Sequence, residues 1–165
     1  MRPLNRNLVD PPAEQGKAAT GAETLRQPRV KPGVLVVDDE YLVRIMVQLG
    51  LERNGFGVWL ASGGREAIEL YRKHRDSIAV VLLDVRMPGL DGPQTLDALR
   101  ELNPGVRACF MSGDTGAHEP EGLRQRGAAC VIAKPFQLED LANVLRRVMQ
   151  GVPAGLPPAG GTRRV

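Results

Sequence analysis

Aromatic residues are scarce: three Phe, two Tyr and one Trp in 165 residues. That is too few for the stacking platforms on which proteins lay single-stranded nucleic acid. Cysteine is scarcer still. Cys109 and Cys130 both fall inside apolar runs, where a free thiol behaves as a small hydrophobe. Neither a disulfide framework nor a thiolate metal site is expected. His74 and His118 are isolated in the chain and are read as surface or packing residues. No apolar run approaches the roughly 18 residues of a membrane span. The opening Met1-Arg-Pro-Leu-Asn-Arg-Asn lacks the apolar stretch of a secretory signal. A cytoplasmic protein without a membrane partner is expected.

Charge is present but unevenly spread. The formal net charge is +3, yet residues 33–150 hold 14 basic and 16 acidic residues. The excess lies at the ends: six basic against three acidic in residues 1–32, and Arg163 and Arg164 in residues 151–165. Basic ends attract polyanions weakly, whereas specific readout needs a clustered patch on an ordered face. No specific nucleic-acid partner is expected.

The end segments also differ in pattern. Residues 1–32 mix Pro, Gly, Ala, Gln and charges without period, and residues 151–165 are rich in Pro and Gly. Both read as flexible, an N-terminal arm and a C-terminal tail, because neither buries enough surface to offset ordering entropy. Residues 33–150 form the one expected domain.

Within that domain short apolar runs alternate with helical spacing. Val34–Val37, Val58–Ala61, Ile78–Leu83, Val106–Met111 and Ala128–Ala133 read as strands. Leu42, Ile45, Met46 and Leu49 recur at helical spacing up to the stop at Asn54-Gly55. Ala67, Ile68 and Tyr71 share a face of a helix from Gly64 to Arg75. Leu96, Leu99 and Leu102 align behind the Asp91-Gly92-Pro93 start. A short helix is expected around Glu119–Arg126, and a last one from Leu138 to Gln150 with Leu138, Leu141, Leu145 and Val148 on one stripe. Five strands alternating with five helices predict an open α/β fold, a parallel sheet covered on both faces.

Functional sites in such folds lie beyond the carboxyl ends of the strands. Here those ends carry Asp38-Asp39, Asp84, Ser112 and Lys134. One such Asp would ordinarily cap a helix; four strand ends bearing ionic or hydroxyl groups exceed what capping needs. Three gathered carboxylates repel one another and raise each other's pKa. A divalent cation and one ammonium bring the sum to zero. Magnesium, which takes oxygen ligands from one or two carboxylates, waters and phosphates, suits that set. The pattern predicts a cation-dependent phosphate site with a carboxylate nucleophile and Ser112 as a donor to a phosphoryl oxygen.

The runs Leu35-Val-Val-Asp-Asp-Glu40, Leu82-Leu-Asp-Val-Arg-Met-Pro-Gly-Leu-Asp-Gly92, Met111-Ser112 and Lys134-Pro135-Phe136 resemble the receiver domain of two-component response regulators, over about residues 33–150. The resemblance implies the CheY-like, flavodoxin-like fold, a doubly wound five-stranded parallel sheet of order 2-1-3-4-5 with helices on both faces. It implies Asp84 as phosphoacceptor and Mg2+ held by Asp39 directly, Asp38 through water, Asp84 and the backbone carbonyl of Arg86. It implies Ser112 and Lys134 on the phosphoryl oxygens and a cis Lys134–Pro135 bond. A sensor histidine kinase or phosphotransfer protein is the implied donor, and a downstream protein contacting residues 119–150 the implied reader. Such a module catalyses its own phosphorylation and dephosphorylation but is no metabolic enzyme. At one place the pattern departs from the family: Val131 stands where an aromatic residue is usual, which puts the family's ring switch in doubt. Arg86 and Asp114 sit where the phosphoryl lifetime would be tuned.

Three other readings fit less well. A magnesium-dependent phosphohydrolase of the haloacid-dehalogenase type would carry Asp-x-Asp after its first strand and a cap, and here the acids are adjacent. A receiver that never takes phosphate would not need the full set of five residues, although Val131 leans toward it. A flavin-binding protein would need a phosphate cradle where Asp38-Asp39-Glu40 repels phosphate.

Overall fold

The computed structural model describes residues 31–113 and 120–152. The expected arm and tail lie almost wholly outside those residues, as do Asp114, His118 and Glu119. The strands are β1 (Gly33–Val37), β2 (Gly57–Ala61), β3 (Ile78–Asp84), β4 (Ala108–Ser112) and β5 (Cys130–Ala133). The helices among the described residues are α1 (Tyr41–Arg53), α2 (Gly64–His74), α3 (Gly92–Leu102), α4 (Pro120–Gln125) and α5 (Leu138–Met149). All pairings are parallel, in the order β2-β1-β3-β4-β5.

Alternation along the central strands divides the core in two. Leu35, Val37, Val81 and Leu83 face one side with Ala67 and Tyr71 of α2, Leu96 and Leu99 of α3, and Leu123 of α4. Val34, Val36, Val80 and Leu82 face the other with Val47 and Leu51 of α1 and Leu141, Leu145 and Val148 of α5. Cys109 and Cys130 are both free and buried in this second core. Each thiol faces its register partner across the β4–β5 pair, and hydrogen bonding to Cys130 together with burial holds the Cys109 thiol well above its usual range. Buried protonated thiols of this kind pack and do not react.

Three expectations shift. β4 begins at Ala108 because the Val106 amide turns back onto the Asn103 carbonyl at 3.0 Å. β5 begins at Cys130 because the Ala128 amide closes α4 on Leu123 at 3.1 Å. The largest change concerns α1. The spaced residues Leu42, Met46 and Leu49 are 74%, 58% and 51% exposed, while Val47, Gly50 and Leu51 face the core. Gly50 is needed there, since a methyl at that position would meet the Leu138 side chain of α5. With Tyr41, the spaced set leaves an apolar side of α1 in solvent.

Candidate functional site

Three strand ends and one loop converge at the carboxyl edge of the sheet. β1 delivers Asp38, fully buried, with its Oδ1 accepting the Glu40 amide at 2.9 Å. The Arg44 guanidinium, one turn into α1, donates to the Asp38 carbonyl at 2.7 Å. Both ends of the Asp38 residue are thus fixed. β3 ends on Asp84, whose Oδ2 accepts the Arg86 amide at 2.8 Å. β4 ends on Ser112, 5% exposed.

Lys134 follows β5 and spans the cluster. Its Nζ lies 2.8 Å from Asp38 Oδ2 and 2.6 Å from Asp84 Oδ1, and its amide donates to the Ser112 carbonyl at 2.7 Å. The Lys134–Pro135 bond is cis. One ammonium therefore serves two carboxylates. Burial works to lower the Lys134 pKa, but the bonds from Asp38 and Asp84 outweigh it and hold the ammonium above the usual lysine range. Asp84 goes the other way. Burial lifts its carboxyl above the ordinary aspartate range, Lys134 pulls it back only in part, and the Asp38 charge adds to the rise. Shared between two anions, the lysine compensates Asp84 incompletely. Such an undercompensated carboxylate in a cleft is a mark of functional sites.

The segment returning from Asp84 to α3 is closed tightly. The Gly92 amide donates to the Val85 carbonyl at 3.0 Å, and Asp91 and Gln94 form a reciprocal capping box. A methyl on Gly92 would run into the Asp84 carbonyl oxygen and the Phe110 ring. Gly92→Ala is expected to cost about 3 kcal/mol, the upper range for overpacking against rigid neighbours. It should also displace Asp84; a urea midpoint equal to that of the parent would refute the cost.

Of the residues singled out from the sequence, Asp38, Asp84 and Lys134 meet directly, and Ser112 sits on the adjoining strand end. Asp39 and Arg86 are exposed at the rim. Among the described residues no three His, Cys, Asp or Glu side chains converge closely enough to hold a metal alone. Among the described residues the direct gathering is of two carboxylates, Asp38 and Asp84, around the Lys134 ammonium. Magnesium asks for no more than one or two carboxylates, completing its shell with carbonyl and water oxygens. The hard oxygen donors of Asp38 and Asp84, with their uncompensated charge, fit it. Two features escaped sequence reading: Arg44 as the brace of the Asp38 loop, and Gly92 as the glycine packed on the Asp84 backbone. The glycine had a signal in its place before Pro93, but its neighbours come from distant strands.

Comparison with known proteins bears on the fold and the family. The family described as the response regulator receiver domain matches residues 34–146. Sporulation initiation phosphotransferase F of Bacillus subtilis is 26% identical over 116 residues, covering 70% of this chain and 92% of that one. Response regulator MprA of Mycolicibacterium vanbaalenii is 34% identical over 117 residues, covering 71% of this chain but 50% of the relative. A structure of a CheX–CheY–BeF3–Mg complex from Borrelia burgdorferi superposes with a TM-score of 0.63 at 30% identity, covering 72% of this chain and 87% of that one.

Proposed function

This chain belongs to the family of response regulator receiver domains, and from that premise we propose that it accepts a phosphoryl group on Asp84 from a phosphohistidine of a sensor kinase or phosphotransfer protein. The observation that carries the proposal is the Lys134 ammonium bridging the Asp84 and Asp38 carboxylates at the sheet's carboxyl edge. A carboxylate oxygen of Asp84 attacks phosphorus as the P–N bond breaks, and the histidine nitrogen keeps the electron pair. Lys134 and Ser112 supply donors to the phosphoryl oxygens, whose charge is largest in transit. Asp38, Asp39, Asp84 and the Arg86 carbonyl are the residues that would hold magnesium, which supplies positive charge to the same oxygens. Asp38 needs no movement of its backbone for this, since Arg44 and the Glu40 amide already fix it.

The test is incubation with magnesium and acetyl phosphate followed by intact-mass measurement. A single phosphate adduct, absent in Asp84→Asn, supports the reading. Turnover of phosphate esters without an adduct would favour a hydrolase instead.

Partner contact is the second part of the proposal. The apolar side of α1 starts at Tyr41, two residues after Asp39, and continues through Leu42, Met46 and Leu49. A contiguous exposed apolar patch beside a reactive carboxylate fits a docking protein that must bring its own phosphoryl group close. Met46→Asp should slow transfer from the protein donor by roughly tenfold or more, as loss of a central apolar contact does. Labelling by acetyl phosphate should be unchanged, and equal effects on both donors would count against docking here. Output runs by protein contact or onward phosphotransfer through the α4–β5–α5 side, within a cytoplasmic signalling pathway. The side chain of Arg86, exposed beside Asp84, governs water access in this scheme. Arg86→Ala is expected to change the adduct's decay rate severalfold; an unaltered decay would remove that role.

A further inference from the structure

The opposite end of the molecule carries the opposite charge, a placement the sequence alone did not reveal. Every helix among the described residues runs from the phosphoacceptor edge toward the far pole, because each follows a parallel strand. Acids gather where helices begin: Glu66, Glu121, Glu139 and Asp140 in first turns, with Asp91 as a cap. Bases gather where they end, and all five helices have at least one in the last turn. Helix dipoles favour that polarity, because the negative helix ends attract cations and offset part of their charge. Arg100 and Arg146 are engaged with backbone carbonyls, and Arg75 and Arg126 face acids. Lys31, Arg53, Arg72, Lys73 and Arg107 remain at the surface, against the nearby acids Glu52, Asp76 and Glu101.

Two further observations point to an anionic partner. A depression of about 120 Å³ opens at this pole, lined by Tyr71, Asn103 and Arg107 with the starting backbone of β3. Arg107 brings a basic residue to its lining, while the Ile78, Val81, Gly105 and Val106 amides are already bonded within the fold. Both flanking segments also join the fold at this pole, one before Lys31 and one after Val152. Residues 1–30 hold five basic and three acidic residues, and residues 153–165 hold two basic and no acidic ones. The charge of the ends therefore adds to that of the pole.

We propose that this basic pole docks the protein on an anionic lipid surface. Among the described residues the pole is an array of helix ends with no projecting helix or hairpin to enter a nucleic-acid groove, and aromatic residues for base stacking are scarce in the chain. A lipid surface asks only for delocalised positive charge, and polybasic segments supply it. The expectation of no membrane partner rested on the lack of a spanning segment; no helix of the described residues is long and apolar enough to cross a bilayer. Docking by charge needs none. It also turns the acidic Asp84 edge away from the lipid, leaving it open to a phosphodonor.

The experiment is co-sedimentation of the full chain with vesicles of phosphatidylcholine alone or with roughly 30 mol% phosphatidylserine. Binding is expected only with phosphatidylserine, weakening at least tenfold between about 50 and about 300 mM salt as screening sets in. The triple variant Arg53→Glu, Arg72→Glu, Arg107→Glu should lose binding while its acetyl phosphate labelling stays normal; a triple Gln variant provides the same test should charge reversal disturb folding. No binding to the anionic vesicles, or equal binding by the triple variants, overturns the proposal. Tighter binding to duplex DNA than to the vesicles at the same salt overturns the assignment to lipid.

Discussion

Asp84→Asn is expected to yield a protein that takes up no phosphate yet unfolds later in urea, by about 1–2 kcal/mol. The gain follows from the site's electrostatics. Asp84 is a carboxylate raised by burial and by the neighbouring Asp38 charge, with an ammonium it must share. Replacing one member of such a cluster by a neutral group of the same shape removes the repulsion and leaves Lys134 wholly to Asp38. The sign with pH follows from linkage. A carboxyl whose folded pKa lies above its unfolded value binds its proton more tightly in the fold. Its stabilising share is full below the unfolded pKa and is lost as pH rises through the folded one. The advantage of the asparagine variant should therefore grow as pH rises through and beyond the ordinary aspartate range. Urea titrations at acidic and neutral pH measure it; a variant less stable than the parent at neutral pH would contradict the account.

Lys134→Met is expected to act in the reverse direction and more strongly. The side chain of Asp38 is 0% exposed and that of Asp84 12% exposed. Without the ammonium both are left facing each other. Removing one partner of a buried pair costs about 3–5 kcal/mol, and the 20% exposure of Lys134 argues for the lower part of that range. The loss should shrink on acidification, as the stranded carboxylates take up protons. Phosphoryl uptake should slow by about a hundredfold, the usual consequence of deleting a preorganised donor. Combining Lys134→Met with Asp84→Asn should restore much of the stability, because the second change removes what the first leaves uncompensated. Strict additivity of the two single effects would show that the bridge contributes nothing. The lysine's own linkage runs high: its folded pKa is raised, so its contribution persists through neutral pH and is lost only as pH climbs past the lysine range.

Much of this edge was readable from the chain because its parts are local. The acids at Asp38 and Asp84 end apolar runs, and strands buried on both faces of a parallel sheet read as such unbroken runs. The order of elements follows from alternating periods for the same reason. What could not be read is which side a period faces. Leu42, Met46 and Leu49 obey helical spacing as well as Val47 and Leu51 do, and only the docking of α1 beside α5 through Gly50 selects between them. The ammonium's place among the acids followed from the charge sum, but its direct bridge did not, since Lys134 meets partners 96 and 50 residues earlier in the chain. Strand starts failed where turns competed. Val106 is as apolar as its neighbours, but its amide is taken by Asn103 before the ladder begins.

Val131 pairs with Phe110 across β4 and β5 and is sealed in the core near Leu123. A β-branched side chain has one stiff torsion and, so enclosed, no second resting place. News of a modified acceptor has no swinging ring to travel on at this position. Were Asp84 modified as proposed, a main-chain shift of β4 and β5 would be the route left, and amide hydrogen exchange would follow it. Fluorescence would be a poor witness, for the single tryptophan, Trp59, stands on β2 at the other border of the sheet.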